Sequence, residues 1–139
     1  MTPEVSLSRS YIFSAAHRLH SSDLSESENI DVYDKCNNFN GHGHDYTLEV
    51  TVTGKPNPNT GMIIPLPLLD EAVNSLLKEM DHRHLDKEVR YFNTHISTGE
   101  IIIQYLWHEL DRRLPAGKLY HIKLWETNNN YFEIGKENI

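Results

Sequence analysis

Along the chain, hydrophobic and polar positions fall into stretches with two different periods. From Tyr46 to Gly54 they alternate, with Leu48, Val50 and Val52 on one side and Thr47, Glu49, Thr51 and Thr53 on the other, the period of a half-buried strand. The run Tyr11–Ala16, ending at His17, reads as a neighbouring antiparallel strand. Pro56-Asn57-Pro58-Asn59-Thr60-Gly61 breaks the alternation. From Leu69 to Met80 the apolar positions Leu69, Val73, Leu76, Leu77 and Met80 recur at helical spacing. A second helix is predicted to begin at Ser97-Thr98-Gly99-Glu100, read as a capping box with Ser97 as the cap and Glu100 reaching back. Ile102, Leu106 and Leu110 carry that helix toward Leu114-Pro115. Alternation returns over Lys118–Glu126, with Tyr120, Ile122, Leu124 and Glu126 assigned to the apolar side, and Asn128-Asn129-Asn130 turns into a last strand, Tyr131–Ile134. The Ser/Glu-rich stretch Ser21–Asn29 reads as a long loop.

The order strand, strand, helix, helix, strand, strand predicts an α+β fold, an antiparallel sheet with two helices on one face. Such a sheet leaves edges to be covered, and oligomerisation into a closed barrel covers them.

Composition narrows the function. At 139 residues the chain fits one domain over 1–139. The single cysteine excludes an intramolecular disulfide and points to a reducing compartment. No run approaches the roughly 18 apolar residues of a membrane helix, and Met-Thr-Pro-Glu-Val lacks the blocks of a signal peptide, so a soluble, cytoplasmic protein is expected. A net charge of −7 without a basic cluster argues against nucleic acid as a partner. A phosphorylated small molecule needs only a local basic pocket.

The chemistry concentrates in Cys36-Asn37-Asn38-Phe39-Asn40-Gly41-His42-Gly43-His44. On a strand, His42 and His44 at i and i+2 project from one face, the face of Leu48, Val50 and Val52. An isolated pair of this kind more often serves as hydrogen-bonded or solvated histidines; here the flanking glycines and the lone upstream thiol point to a metal, with His17 as the third ligand. Three protein ligands on zinc leave a fourth position open, the catalytic pattern. His20, His84, His95, His108 and His121 lack this spacing and read as surface or structural residues.

Three further groups bear on the chemistry. Cys36 reads as a general base beside the metal, with the roles of zinc ligand and buried hydrophobe left open. Asp81-His82 closes the first helix, either as a carboxylate–imidazole proton relay or as a histidine set against the helix dipole. As adjacent residues they are not expected to bond each other directly. Glu126 reads either as a receptor for an edge with two N–H groups or as a strand end bonded to nearby amides.

Taken together, Phe13-Ser14-Ala15-Ala16-His17-Arg18-Leu19, Cys36-Asn37-Asn38 with Gly41-His42-Gly43-His44, Thr60-Gly61-Met62, Met80-Asp81-His82, Ser97-Thr98 with Glu100, and Trp125-Glu126-Thr127 resemble the 6-pyruvoyl-tetrahydropterin synthase family over nearly the whole chain. The resemblance implies the tunnelling fold, in which trimers close a β-barrel and two trimers stack into a homohexamer with active sites between subunits. It implies Zn2+ on His17, His42 and His44, Cys36 as base, Asp81 and His82 as proton relay from a neighbouring subunit, and Glu126 as pterin anchor, with Thr98 and Glu100 lining the pocket. The implied reaction converts 7,8-dihydroneopterin triphosphate to 6-pyruvoyl-tetrahydropterin and triphosphate, in tetrahydrobiopterin biosynthesis. Two rivals are a 6-carboxytetrahydropterin synthase-like enzyme and a catalytically silent zinc-binding oligomer. The five residues between Cys36 and His42 favour the pyruvoyl enzyme over the first, and the intact catalytic set weighs against the second. Departures from the family pattern are Phe39 where proline is common, Asp45 for asparagine, Pro65 and Leu68 where Asn and Asp usually introduce the helix, and Gly99 for threonine. Arg18 and Lys35 are the basic candidates for the triphosphate.

Overall fold

A computed structural model describes residues 2–139. The alternating runs form β1 (Val5–His17) and β2 (His42–Gly54), longer than their apolar stretches because they pair antiparallel over their full length, from Val5 opposite Gly54 to His17 opposite His42. β2 pairs with β4 (Leu119–Trp125) and β4 with β5 (Tyr131–Gly135), both antiparallel. A two-residue strand, β3 (Arg83–His84), lies parallel to Ala15 and Ala16 of β1, so the sheet order is β3-β1-β2-β4-β5 and the sheet is not wholly antiparallel as predicted.

Two long helices pack on one face, and a single-turn helix, α3 (Leu85–Glu88), follows β3. α2 (Leu66–Leu77) buries Leu69, Val73, Leu76 and Leu77, and α4 (Gly99–Arg113) buries Ile102, Ile103, Leu106 and Leu110. They cover Tyr11, Phe13, Tyr46, Leu48, Val50, Ile122 and Leu124 of the sheet in one core. Each such side chain removed from water contributes roughly 1.5–3 kcal/mol before the entropy of ordering it is counted. Asp70 of α2 clamps β1, accepting from Arg9 Nε at 2.8 Å and from the Tyr11 hydroxyl at 2.7 Å. No helix among the described residues is long and apolar enough to cross a membrane.

Several local expectations fail for identifiable reasons. Part of the expected loop Ser21–Asn29 belongs to α1 (Glu26–Tyr33), started by a capping box in which the Ser25 hydroxyl accepts from Glu28 N–H and Glu28 returns the bond. Asn29 is buried beneath it and holds Ser21 N–H and three backbone carbonyls. α2 begins earlier than its apolar spacing suggested, with Pro65 as cap and Pro67 in the first turn, where a missing N–H costs nothing. It stops at Leu77, so Asp81 and His82 lie in the following turn instead of closing the helix. α4 is capped by Thr98, whose hydroxyl accepts from Ile101 N–H at 3.3 Å; Ser97 is buried and committed elsewhere, and the expected box with Glu100 does not form. In β4 a register shift opposite Thr51 and Val52 turns Tyr120 outward and Leu119 inward, reversing the parity expected at that end, while Ile122 and Leu124 keep theirs.

Gly99 explains its own departure from the family pattern. A Cβ there would fall 2.0 Å from Cε2 of Phe132, whose ring lies against the helix start. Gly99→Ala is expected to destabilise the fold by about 1–3 kcal/mol, yet to be neutral or stabilising in a Phe132→Ala background, where only alanine's better helix propensity remains. Urea unfolding of the four combinations checks this; an equal cost in both backgrounds removes the ring as the reason for glycine.

Candidate metal centre and active site

The β1–β2 register brings the histidines together. With His17 opposite His42 and Ala15 opposite His44, the three imidazoles share the sheet face that carries the core, at the open end of the strand pair. Ring centroids lie 4.7 Å (His17–His42), 5.2 Å (His17–His44) and 4.8 Å (His42–His44) apart. One nitrogen from each falls within 4.8 Å of the others, so His17, His42 and His44 could hold a metal ion.

Their hydrogen bonding fits that reading. His17 is fully buried and its Nδ1–H donates to the Ser97 carbonyl at 2.6 Å, which leaves Nε2 as a lone pair facing its neighbours. Among the described residues, His17 Nε2, both nitrogens of His42 and Nε2 of His44 are buried without a partner. Each such orphan costs about 1–3 kcal/mol unless something occupies it, and a cation at the convergence takes one nitrogen from each ring, three of the four at once. Burial is the main cause that lowers the His17 and His42 pKa values, so both rings stay neutral and able to ligate at physiological pH.

Glu126, just past β4, keeps the inward parity predicted for it. Its Oε2 lies 3.9 Å from His17 Nε2, and among the described residues its carboxylate meets only Asn130 Nδ2, at 3.4 Å; no backbone amide occupies it. Cys36 sits half-buried in a short 3-10 turn, Asp34–Asn37, that is sewn to the residues after His17: Leu19 N–H donates to the Cys36 carbonyl at 2.8 Å, and Asn37 Nδ2 to the Leu19 carbonyl at 2.8 Å. Among the described residues, the cluster that could hold a metal does not include Cys36. Burial, then the charges of Glu126 and Asp34, push its thiol pKa up.

The remaining predicted residues lie elsewhere. Asp81 accepts from the Ser14 N–H at 2.8 Å, a bond that is the first cause holding its carboxyl below the usual range. Contrary to expectation, His82 Nδ1 lies 3.0 Å from Asp81 Oδ1; a left-handed φ of 59° at His82 folds the ring back onto its neighbour. The His82 side chain is 81% exposed, at the β1 edge beside Ser14 and Asp45, which point away from the core face. Thr98 spends its hydroxyl on the helix cap and Glu100 is exposed.

Sequence reading passed over two residues here. Tyr46 continues the i, i+2 stripe of His42 and His44; its hydroxyl is buried without a partner among the described residues, and burial followed by Glu126 raises its pKa steeply. Extending the parity argument by one step finds it. His84, expected to be a surface or structural histidine, has both ring nitrogens buried without a hydrogen bond, and a Cβ on Gly41 would fall 2.8 Å from its Nε2. Gly41 also adopts a φ of 80°, so glycine is required twice over immediately before His42.

Comparison with known proteins agrees with this architecture. A family model for 6-pyruvoyl tetrahydropterin synthase matches residues 6–137. The chain is 45% identical over 130 residues to 6-pyruvoyl tetrahydrobiopterin synthase of Drosophila melanogaster, covering 92% of this chain and 77% of that one. It is 44% identical over 128 residues to the Homo sapiens enzyme of the same name, covering 91% and 88%. The solved 6-pyruvoyl tetrahydropterin synthase of Caenorhabditis elegans superposes with a TM-score of 0.92 at 40% identity, over 96% of each chain.

His42→Ala is expected to reduce the metal content of purified protein from stoichiometric to near zero, read by elemental analysis, with the circular dichroism of the fold retained. After chelation, the unfolded chain takes up protons near the ordinary histidine pKa of about 6.5 that the buried rings of His17 and His42 refuse. Stability of the stripped protein is therefore expected to fall as pH drops through that value and to recover above it, and His42→Gln to flatten the dependence; urea midpoints at several pH values measure both.

Proposed function

The chain belongs to the 6-pyruvoyl tetrahydropterin synthase family, and on that premise we propose that it is the zinc-dependent lyase that converts 7,8-dihydroneopterin triphosphate to 6-pyruvoyl-tetrahydropterin and triphosphate. It is an enzyme of tetrahydrobiopterin synthesis, as its family and its 44–45% identity to named synthases establish. The observation that carries the finer reading is the convergence of three orphaned imidazole nitrogens within 4.8 Å of one another, with a carboxylate 3.9 Å from one of them.

In this reading His17, His42 and His44 hold the ion, and the His17–Ser97 bond fixes the tautomer that offers Nε2. Zinc bound there supplies Lewis acidity toward oxygens of the substrate side chain and a positive field that favours a nearby thiolate. Glu126 takes the pterin ring by two N–H groups, one to each oxygen, as a carboxylate takes guanidinium. Cys36, whose own surroundings keep it a thiol, becomes the base once the site is loaded and removes protons from the side-chain carbons. Asp81, held as a carboxylate by Ser14 N–H, binds Nδ1 of His82 and leaves Nε2 to carry protons. Because His82 is exposed at the sheet edge, it serves the site of a neighbouring subunit. Thr98 and Glu100, just beyond the Ser97 carbonyl that anchors His17, line the pocket.

Assembly as a homohexamer fits the same geometry. β3 covers only Ala15 and Ala16, so the rest of the outer edge of β1, like that of β5, has no strand partner among the described residues, and Ile12 on the outward face is 75% exposed. A cytoplasmic location belongs to this reading.

Cys36→Ala is expected to retain metal and assembly while turnover falls by roughly 10²–10⁴-fold, the contribution of a positioned base. Triphosphate release and chromatography of the pterin product measure it. A near-wild-type rate removes Cys36 as base, and a carboxy product from the unmutated enzyme replaces the proposed reaction with that of the 6-carboxytetrahydropterin synthases.

A further inference from the structure

The histidine cluster itself offers no basic group for a triphosphate, yet a cavity of about 540 Å³ opens beyond the end of β1, lined from Arg18, the residue after His17, onward. Its lining includes Arg18, Phe39, His84, Asp86 and Lys87. Three links tie it to the metal centre. Arg18 follows His17 in the chain; Asp86 accepts from Arg18 N–H at 2.7 Å and from the Ser97 hydroxyl at 2.5 Å, and the Ser97 carbonyl holds His17; and His84 packs against Gly41, next to His42.

In a chain of net charge −7, this cavity gathers two cations with no carboxylate partner among the described residues, Arg18 and Lys87, alongside two carboxylates, Asp23 and Asp86. The Arg18 guanidinium is positioned from behind: Nε donates to the Asn37 carbonyl at 3.0 Å and the group lies 5.4 Å from the centroid of the Phe39 ring. Both terminal nitrogens remain free, the fork that binds phosphate bidentately. Phe39, the residue that stands where the family commonly has proline, thus braces Arg18. Asp86 accepts from two neutral donors, Arg18 N–H and the Ser97 hydroxyl, and Asp23 has no such donor among the described residues, so the guanidinium fork and Lys87, not net charge, select the anion. Lys35, the other basic residue singled out from the sequence, does not line the cavity; Lys87 was not anticipated.

Strand order sets the direction of a bound substrate. Across β3-β1-β2-β4-β5 the metal ligands lie on β1 and β2, Glu126 follows β4, and the cavity lies beside the ends of β1 and β3. A molecule with its pterin head on Glu126 and its side-chain carbons over the histidines therefore points its tail into the cavity. Resting on the function proposed above, we propose that this cavity is the polyphosphate subsite, in which Arg18 and Lys87 bind the triphosphate group and retain it as it leaves.

The test uses the metal-loaded enzyme and inorganic triphosphate as its magnesium complex, which does not strip the bound ion, with neopterin, which carries no phosphate, as the control ligand. Arg18→Gln and Lys87→Gln are each expected to weaken triphosphate binding about 10-fold, the scale of a charged hydrogen bond, and to raise KM for dihydroneopterin triphosphate in parallel, with the Kd of neopterin within about twofold of wild type. Asp23→Asn is expected to tighten triphosphate, and Phe39→Ala to weaken it less than Arg18→Gln does. Lys87 is exposed on the single-turn helix Leu85–Glu88, so its replacement tests the idea even where Arg18→Gln impairs folding. Unchanged triphosphate affinity in Lys87→Gln, or equal losses for neopterin and triphosphate, overturns the subsite. Failure of the wild-type enzyme to turn over dihydroneopterin triphosphate overturns instead the reading on which it rests.

Discussion

The pairing of β1 with β2 is the constraint on which the rest depends. Because side chains alternate with a period of two, one register places Tyr11, Phe13 and Ala15 with Leu48, Tyr46 and His44 on the helix-covered face, and the same register sets His17 against His42 at the end of the ladder. A slip of one residue turns Phe13 and His17 outward together. The burial that stabilises the sheet therefore also selects the geometry of the histidine cluster, and no separate interaction is needed to bring the three imidazoles to one place.

A second constraint works at right angles to the strands. Ser97 is buried between elements: its carbonyl holds His17 and its hydroxyl donates to Asp86, which in turn holds the backbone of Arg18. This explains why the serine does not cap α4. A hydroxyl already donating to a half-buried carboxylate is worth more where it is, and the neighbouring threonine supplies the cap at little loss. The start of α4 is thereby locked to the histidine-bearing end of β1, and two members of the network, Arg18 and Asp86, also line the cavity.

What was legible in the sequence follows from this. Periodicity exposed β2, the body of α2 and α4 and the last two strands, because in each the buried face repeats over several turns or pairs. The His-x-His parity and the inward direction of Glu126 were legible for the same reason, since both follow strand alternation. Features set by partners distant in the chain were not. The two residues of β3 form because the turn after α2 delivers them to Ala15 and Ala16, and the outward turn of Tyr120 comes from a register shift against β2. α1 has no strong apolar face; its signal was the Ser25–Glu28 box and the buried amide of Asn29. The direct contact of His82 with Asp81 depends on a left-handed backbone that the side-chain pattern does not encode.

The anchors of the candidate site's side chains share one property. His17 is aimed by the Ser97 carbonyl, Arg18 by the Asn37 carbonyl and Asp81 by the Ser14 amide, and the Cys36 turn is tied through its own carbonyl to Leu19. Every residue carries these backbone groups whatever its side chain, so a site held by them survives wide substitution around it as long as the strand and helix ends stay in place. The same holds for the fold, which follows that of a relative with a TM-score of 0.92 at only 40% identity. It also predicts where departures from the family pattern are absorbed, namely in pairs of side chains that face each other across the fold. Gly99 yields its space to Phe132, and the ring of Phe39 meets the guanidinium of Arg18, so each change is matched by the residue it touches while the backbone beneath the histidines keeps its course.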